Sequence, residues 1–124
     1  MIYADTDFLI AFLKEKDWLK KRALEIYNEN KEEIYTSWVA LTEILLLSRR
    51  LGMDSESVIA NVFKLIKTIE ADQNVFLHAA HLIKEKNINV FDALHAAMCS
   101  DSQIISSDGV FDELGLERIK LNKG

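Results

Sequence analysis

Ile2-Tyr3-Ala4-Asp5-Thr6-Asp7-Phe8-Leu9-Ile10 opens the chain, and its reading decides the fold class. A short apolar run stops on two carboxylates one residue apart and then resumes as an apolar helix. This is how a buried strand ending at an acidic site is written, and in open α/β sheets ligands bind where such strands end. Asp5 therefore stands where chemistry is expected.

Working outward, the strand Ile2 to Ala4 leads to a helix over Phe8 to Lys14, which Thr6 or Asp7 can cap. Asp17 opens a helix to about Asn30, with Trp18, Leu19, Ala23, Ile26 and Tyr27 on its inner face. Ile34 to Thr36 reads as a second strand, and Ser37 as the N-cap of a helix over Trp38 to Leu51. Apolar residues cover nearly the whole circumference of that helix, so it is expected to be buried on more than one side. Gly52 ends it. Asp54 or Ser55 caps the next, from Glu56 to Ile69, with Val58, Ile59, Val62, Phe63, Ile66 and Ile69 as its inner stripe, before a short strand Ile69 to Ala71.

A helix to Lys86 follows, with Leu77, Ala80, Leu82 and Ile83 inside, and then an alanine-rich helix from Val90 to Ser100 capped by Asn89. The chain closes with a strand Gln103 to Ser106, a loop Ser107 to Gly109, a helical turn Val110 to Leu114 and a strand Glu117 to Leu121. Strands separated by helices imply an α/β fold: a three-layer sandwich with a central, mainly parallel, twisted sheet of four or five short strands and helices on both faces. No repeat, low-complexity tract or linker interrupts it, so residues 1–124 are read as a single domain.

The 124 residues are 49% hydrophobic and 28% charged, which suits a globular chain with its own core. The single cysteine, Cys99, forms no intramolecular disulfide and fits a reducing cytoplasm. Asp5 and Asp7 interrupt the one apolar N-terminal run, so neither a secretory signal nor a membrane span is expected. A formal charge of −5 speaks against a nucleic-acid partner at first sight. The objection weakens if several acids share one metal site, because bound divalent cations reverse the local field.

Four carboxylates are out of place in their local patterns. Asp5 ends the first strand, Asp108 follows the strand Gln103 to Ser106, Glu43 interrupts an apolar helix, and Asp92 sits among Phe91, Ala93, Leu94, Ala96 and Ala97. Acids are rarely buried without a partner. Parallel strand ends bring Asp5 and Asp108 to one rim, and Glu43, two turns or roughly 10 Å along its helix, can return toward it. No lysine or arginine lies within these apolar patches. Carboxylate oxygens suit Mg²⁺ or Mn²⁺ better than zinc, and one or two such ions point to phosphodiester hydrolysis.

Taken together, Tyr3 to Ile10, Ser37 with Glu43-Ile44, Phe91-Asp92-Ala93-Leu94-His95-Ala96-Ala97 and Ile104 to Phe111 resemble the PIN-domain family of metal-dependent ribonucleases. The resemblance is to the small single-domain type that includes the VapC toxins of toxin–antitoxin pairs. It implies that Asp5, Glu43, Asp92 and Asp108 are both the metal ligands and the catalytic residues of an endoribonuclease acting through metal-activated water. It further implies an RNA substrate and an antitoxin partner, and the apolar helix Trp38 to Leu51 with the stripe Val58 to Ile69 offers a surface for a homodimer or an antitoxin. Thr6 and Ser106 match hydroxyl positions that support the acids, and Asp7 stands where the family often has Asn or Ser. Val110 occupies a place where many members carry a further acid, which puts a second metal in question and makes Asp112 a possible substitute.

Two other readings compete. Asp5-Thr6-Asp7 could be the Asp-x-Asp of a haloacid-dehalogenase-like phosphatase with Asp5 as nucleophile, although Leu9 stands where that pattern wants Thr or Val. Alternatively the chain is a catalytically weak PIN-like module that binds RNA or protein. His78 and His81 lack a third ligand for zinc, and His95, one turn after Asp92, could line the site but is expected instead to be a core or surface residue. The glycines are isolated, which excludes a P-loop. The basic clusters read as solvated helix faces, with Lys14 and Lys16 nearest to Asp5 if RNA binds.

Overall fold

The computed structural model describes residues 1–122; residues 123–124, the end of the expected domain, lie outside the described residues. In chain order the elements are β1 (Ile2–Ala4), α1 (Thr6–Leu13), α2 (Lys20–Asn30), β2 (Ile34–Ser37), α3 (Trp38–Leu47), α4 (Ser55–Leu65), β3 (Lys67–Ile69), α5 (Gln73–Lys86), α6 (Val90–Cys99), β4 (Gln103–Ser106), α7 (Val110–Glu113) and β5 (Arg118–Lys120). The strands form one sheet in the order β3-β2-β1-β4-β5. Every pairing is parallel, with Ile2 opposite Ile34 and Gln103, and Tyr3 opposite Tyr35 and Ile104.

Alternation along the strands builds two apolar layers. Ile2, Ala4, Ile34 and Ile105 face Phe8, Leu9, Ile26, Val58 and Val62 of α1, α2 and α4. Tyr3, Tyr35 and Ile104 face Ala93, Ala96, Ala97 and Phe111 of α6 and α7. The expected three-layer α/β architecture is thus the observed one. Helix α3 joins both layers, Ala40, Leu41 and Ile44 belonging to the first and Val39 to the second, so it crosses the rim of the sheet. The chain leaves β1 toward β2 on one side and leaves β4 toward β5 on the other. The gap between the ends of β1 and β4 is therefore the switch point at which such sheets bind ligands.

Several local expectations are corrected. Asp5 itself, not Thr6 or Asp7, caps α1, its Oδ1 accepting from the Thr6 N–H at 2.7 Å. Asp17 makes a turn by accepting from the Leu19 N–H, which delays α2 to Lys20 and leaves Trp18 83% exposed. Lys20 then points back, donating to the carbonyls of Phe12 and Lys14 and closing the end of α1. Ser37 belongs to β2 and makes no side-chain cap; its hydroxyl meets Tyr3 instead.

Helix α3 ends at Leu47, and one flank is open, with Leu45 and Leu46 exposed, so burial around its circumference is not achieved by the described residues. Helix α4 stops at Leu65 because Ile66 turns extended and leads into β3, which pairs Tyr35 with Lys67. Phe63, expected inside α4, is exposed. Helix α5 touches the core through Val75, Ala79 and Leu82, spaced i, i+4, i+7, while Leu77, Ala80 and Ile83 lie outside. Cys99 is buried, its thiol donating to the Ser102 carbonyl. No helix among the described residues is long and apolar enough to cross a membrane.

Candidate active site

At the switch point lies an open cleft of about 460 Å³ lined by Asp5, Thr6, Asp7, Ile10, Glu43, Leu47, Asp92, His95, Ser107, Asp108 and Gly109. Five carboxylates from four segments of the chain meet there, and among the described residues no lysine or arginine lines the cleft. Lys14 and Lys16 border a separate hollow beside Gly52 and Met53.

Asp5 is 7% exposed. Its Oδ2 accepts from the Ser106 hydroxyl at 2.6 Å, and that hydroxyl in turn accepts from the Asp108 N–H at 3.0 Å. Burial pushes the Asp5 carboxyl up to about 7, against the pull of His95 and the two hydrogen bonds. Asp7 also titrates above the usual carboxylate range, chiefly through burial. Its Oδ2 accepts from the Ser107 N–H at 2.8 Å and from the Ser107 hydroxyl, which ties the loop after β4 to the start of α1. Its Oδ1 is buried without a hydrogen-bond partner among the described residues. A buried carboxylate oxygen left this way calls for a water or a cation.

Glu43 reaches the cleft because α3 crosses the rim. Burial would raise its carboxyl, but hydrogen bonds from His95 and Thr6 outweigh burial and leave it below the ordinary glutamate range. Asp92 sits in the first turn of α6, where the helix dipole favours negative charge. The Asn89 side chain holds it on both sides, accepting from the Asp92 N–H at 2.9 Å and donating to Asp92 Oδ2 at 2.7 Å. Burial and the neighbouring Asp108 raise its carboxyl. Asp108 is exposed, and its Oδ1 accepts from the Val110 N–H at 2.9 Å, shaping the loop that carries it.

Asp112 does not line the cleft. The Arg118 guanidinium grips it with two hydrogen bonds, Nε to Oδ1 at 3.0 Å and Nη2 to Oδ2 at 2.8 Å, and holds it below the usual carboxylate range. Thr6 and Ser106 are buried against the acids.

His95 was expected in the core or on the surface, with a place at the site as the lesser alternative. It is 1% exposed, yet it is part of the site: Nε2 lies 2.8 Å from Glu43 Oε1 and 3.3 Å from Asp5 Oδ1. Its spacing was the available signal, since a residue three after Asp92 on a helix shares its face. Burial lowers its basicity, but Glu43, Asp5 and Asp92 together more than reverse this and favour the imidazolium. Donor atoms of Asp5, Glu43 and His95 lie within 4.8 Å of one another. The carboxylates of the cleft, without thiolate and with an orphaned carboxylate oxygen on Asp7, fit a hard divalent cation such as Mg²⁺ or Mn²⁺.

The sequence profile of the PIN domain matches residues 2–116. No curated protein matches the chain. Among solved structures, the fold is similar to VapC20 of Mycobacterium tuberculosis, described as a toxin that cleaves the sarcin–ricin loop. There the TM-score is 0.79 at 21% identity, over 97% of this chain and 99% of that one. A toxin–antitoxin complex from Klebsiella pneumoniae gives 0.78 at 13%, over 100% of both chains. VapBC2 from Rickettsia felis, bound to a DNA fragment of its promoter, gives 0.75 at 14%, over 97% and 98%. At these identities the similarity is one of fold.

Proposed function

This chain belongs to the PIN domain family, and from that premise we propose that it is a metal-dependent endoribonuclease and the toxin of a toxin–antitoxin pair. One observation carries the reading: five carboxylates converge on a cleft that no lysine or arginine among the described residues lines. A nucleic-acid phosphate can approach such a cleft only if divalent cations neutralise it. The neighbours described as toxins and toxin–antitoxin complexes support RNA as substrate and a protein antitoxin as partner.

Asp5, Glu43, Asp92 and Asp108 would hold Mg²⁺ or Mn²⁺. When bound, the cation would lower the pKa of a water near the scissile phosphate and offset the charge developing on phosphorus. The chain's own work is placement. Ser106 fixes Asp5 and the Asp108 backbone together, Asn89 fixes Asp92, and His95 with Thr6 fixes Glu43. Asp7 clamps the Ser107 to Gly109 loop, so the rim keeps its shape while substrate enters. With Val110 lacking a carboxylate, Asp7 is the remaining extra acid at the rim and the candidate to support a second ion.

A phosphatase using Asp5 as nucleophile is not favoured, because the family model that matches residues 2–116 is that of the PIN domain. Homodimerisation is proposed through the open flank of α3 and α4, where Leu45, Leu46 and Phe63 are exposed. Purified protein should cleave RNA in Mg²⁺ or Mn²⁺, stop in EDTA and resume when the cation is restored. RNA left intact by protein that nonetheless binds it tightly would replace this reading with the non-catalytic binding module.

A further inference from the structure

His95 is not one of the acids assigned to the cation, yet it touches two of them. Its Nδ1 lies 2.7 Å from the Tyr3 hydroxyl, which lies 2.8 Å from Ser37 Oγ. Its Nε2 faces three oxygens: Glu43 Oε1 at 2.8 Å, Thr6 Oγ1 at 3.0 Å and Asp5 Oδ1 at 3.3 Å. Tyr3 and Ser37 are both fully buried, on β1 and β2. A continuous polar chain thus runs beneath the cleft from the middle of the sheet to α3.

The geometry points to His95 as a positioning residue that holds Glu43 beside Asp5, in a cation-receiving arrangement, by donating from Nε2–H to Glu43, with Tyr3 and Ser37 setting the angle of its ring. The inference deepens the ribonuclease reading and rests on it.

Ionised carboxylates only accept hydrogen bonds, so the hydrogen between His95 and Glu43 belongs to Nε2. This holds in both protonation states. In the neutral ring Tyr3 donates to Nδ1; in the imidazolium Nδ1–H donates to Tyr3, and Tyr3 donates to Ser37. A nitrogen that carries its hydrogen has no lone pair for a metal. His95 therefore acts through the acids and is not itself a ligand. Glu43 needs such a hold: it reaches the cleft on a long side chain, 23% exposed, from the middle of a helix. Thr6 alone, a hydroxyl free to rotate, fixes its direction less well than a ring pinned at its other nitrogen.

Mn²⁺ calorimetry on wild type, His95→Gln, His95→Ala and Tyr3→Phe, with melting curves in EDTA, tests this. Gln places an amide N–H near the Nε2 position and should bind Mn²⁺ within about threefold of wild type, whereas Ala should bind about 10–100-fold more weakly, with Tyr3→Phe between them. If His95→Ala fails to fold, the Gln and Phe variants carry the comparison. In proton NMR of the wild type saturated with diamagnetic Mg²⁺, the His95 Nε2–H resonance should persist. Its disappearance on loading would make His95 a ligand and overturn the proposal. So would His95→Ala binding Mn²⁺ as tightly as wild type, or a fall in melting temperature alike in Gln and Ala with Mn²⁺ affinity unchanged. Wild-type protein that takes up no Mn²⁺ and leaves RNA intact would overturn the ribonuclease reading, and this proposal with it.

Discussion

Ser106 and Asp5, 101 positions apart, share a hydrogen bond of 2.6 Å across the ends of β4 and β1. Because the same hydroxyl accepts from the Asp108 N–H, it is the joint at which two strand ends become one site. Ser106→Ala should leave a buried carboxylate oxygen and a backbone N–H without this partner, costing about 1–3 kcal/mol. Urea denaturation in EDTA checks it, and a loss of Mn²⁺ affinity should accompany the loss of stability.

Metal-free protein should lose stability as pH rises. The Asp5 carboxyl, pushed up to about 7 by burial, keeps in the folded state a proton that the unfolded chain gives up near pH 4. His95, raised by its acidic neighbours, contributes charge pairing that is complete below its unfolded pKa and fades as pH climbs through the folded one. Both effects have the same sign between pH 5 and 8. Melting temperature in EDTA should therefore fall across that window, and Mg²⁺ should raise it more at pH 8 than at pH 5.5. A flat or rising profile in EDTA would contradict the assignment of these shifts.

Asp112→Asn should leave Mn²⁺ affinity within about twofold of wild type, because Arg118, not the cleft, holds that carboxylate and an exposed pair contributes little. The same pair gives stability a mild acid dependence. Held below the usual carboxylate range, Asp112 stabilises above its unfolded pKa, and the contribution fades as pH falls through the folded value. A marked loss of Mn²⁺ binding in Asp112→Asn would return Asp112 to the site as the substitute for the acid missing at Val110.

Gly115 carries φ +80° in the turn between α7 and β5, with open space where a Cβ would lie. Gly115→Ala should therefore cost about 1 kcal/mol through backbone conformation alone. Thermal denaturation reads this directly, and Mn²⁺ binding should be unchanged.

Much of the fold was legible because the chain states it twice: the apolar runs at Ile2, Ile34 and Gln103 mark the strands, and caps such as Asp54 and Asn89 mark the helices after them. The acids were legible because each breaks an apolar pattern. His95 was not, since an imidazole within an alanine-rich helix satisfies the burial pattern of a core residue equally well; only its spacing from Asp92 marked it. The strand β3, expected at Ile69 to Ala71, lies at Lys67–Ile69; its start was hidden because Val62, Ile66 and Ile69 continue the helical period of α4 through the chain reversal. The exposed Trp18, Leu46 and Phe63 were misjudged for a different reason. Hydropathy records which residues are apolar, not whether another surface covers them.

The central claim is that Asp5 anchors a cation on which RNA cleavage depends. Its most direct test compares wild type with Asp5→Asn in Mn²⁺-dependent cleavage of an RNA oligonucleotide, with Mn²⁺ affinity measured on the same samples. Asp5→Asn should stay folded, bind Mn²⁺ at least about tenfold more weakly and cleave at least about a hundredfold more slowly. An Asp5→Asn protein that cleaves RNA as fast as wild type, or wild-type cleavage that continues undiminished in EDTA, would contradict the account.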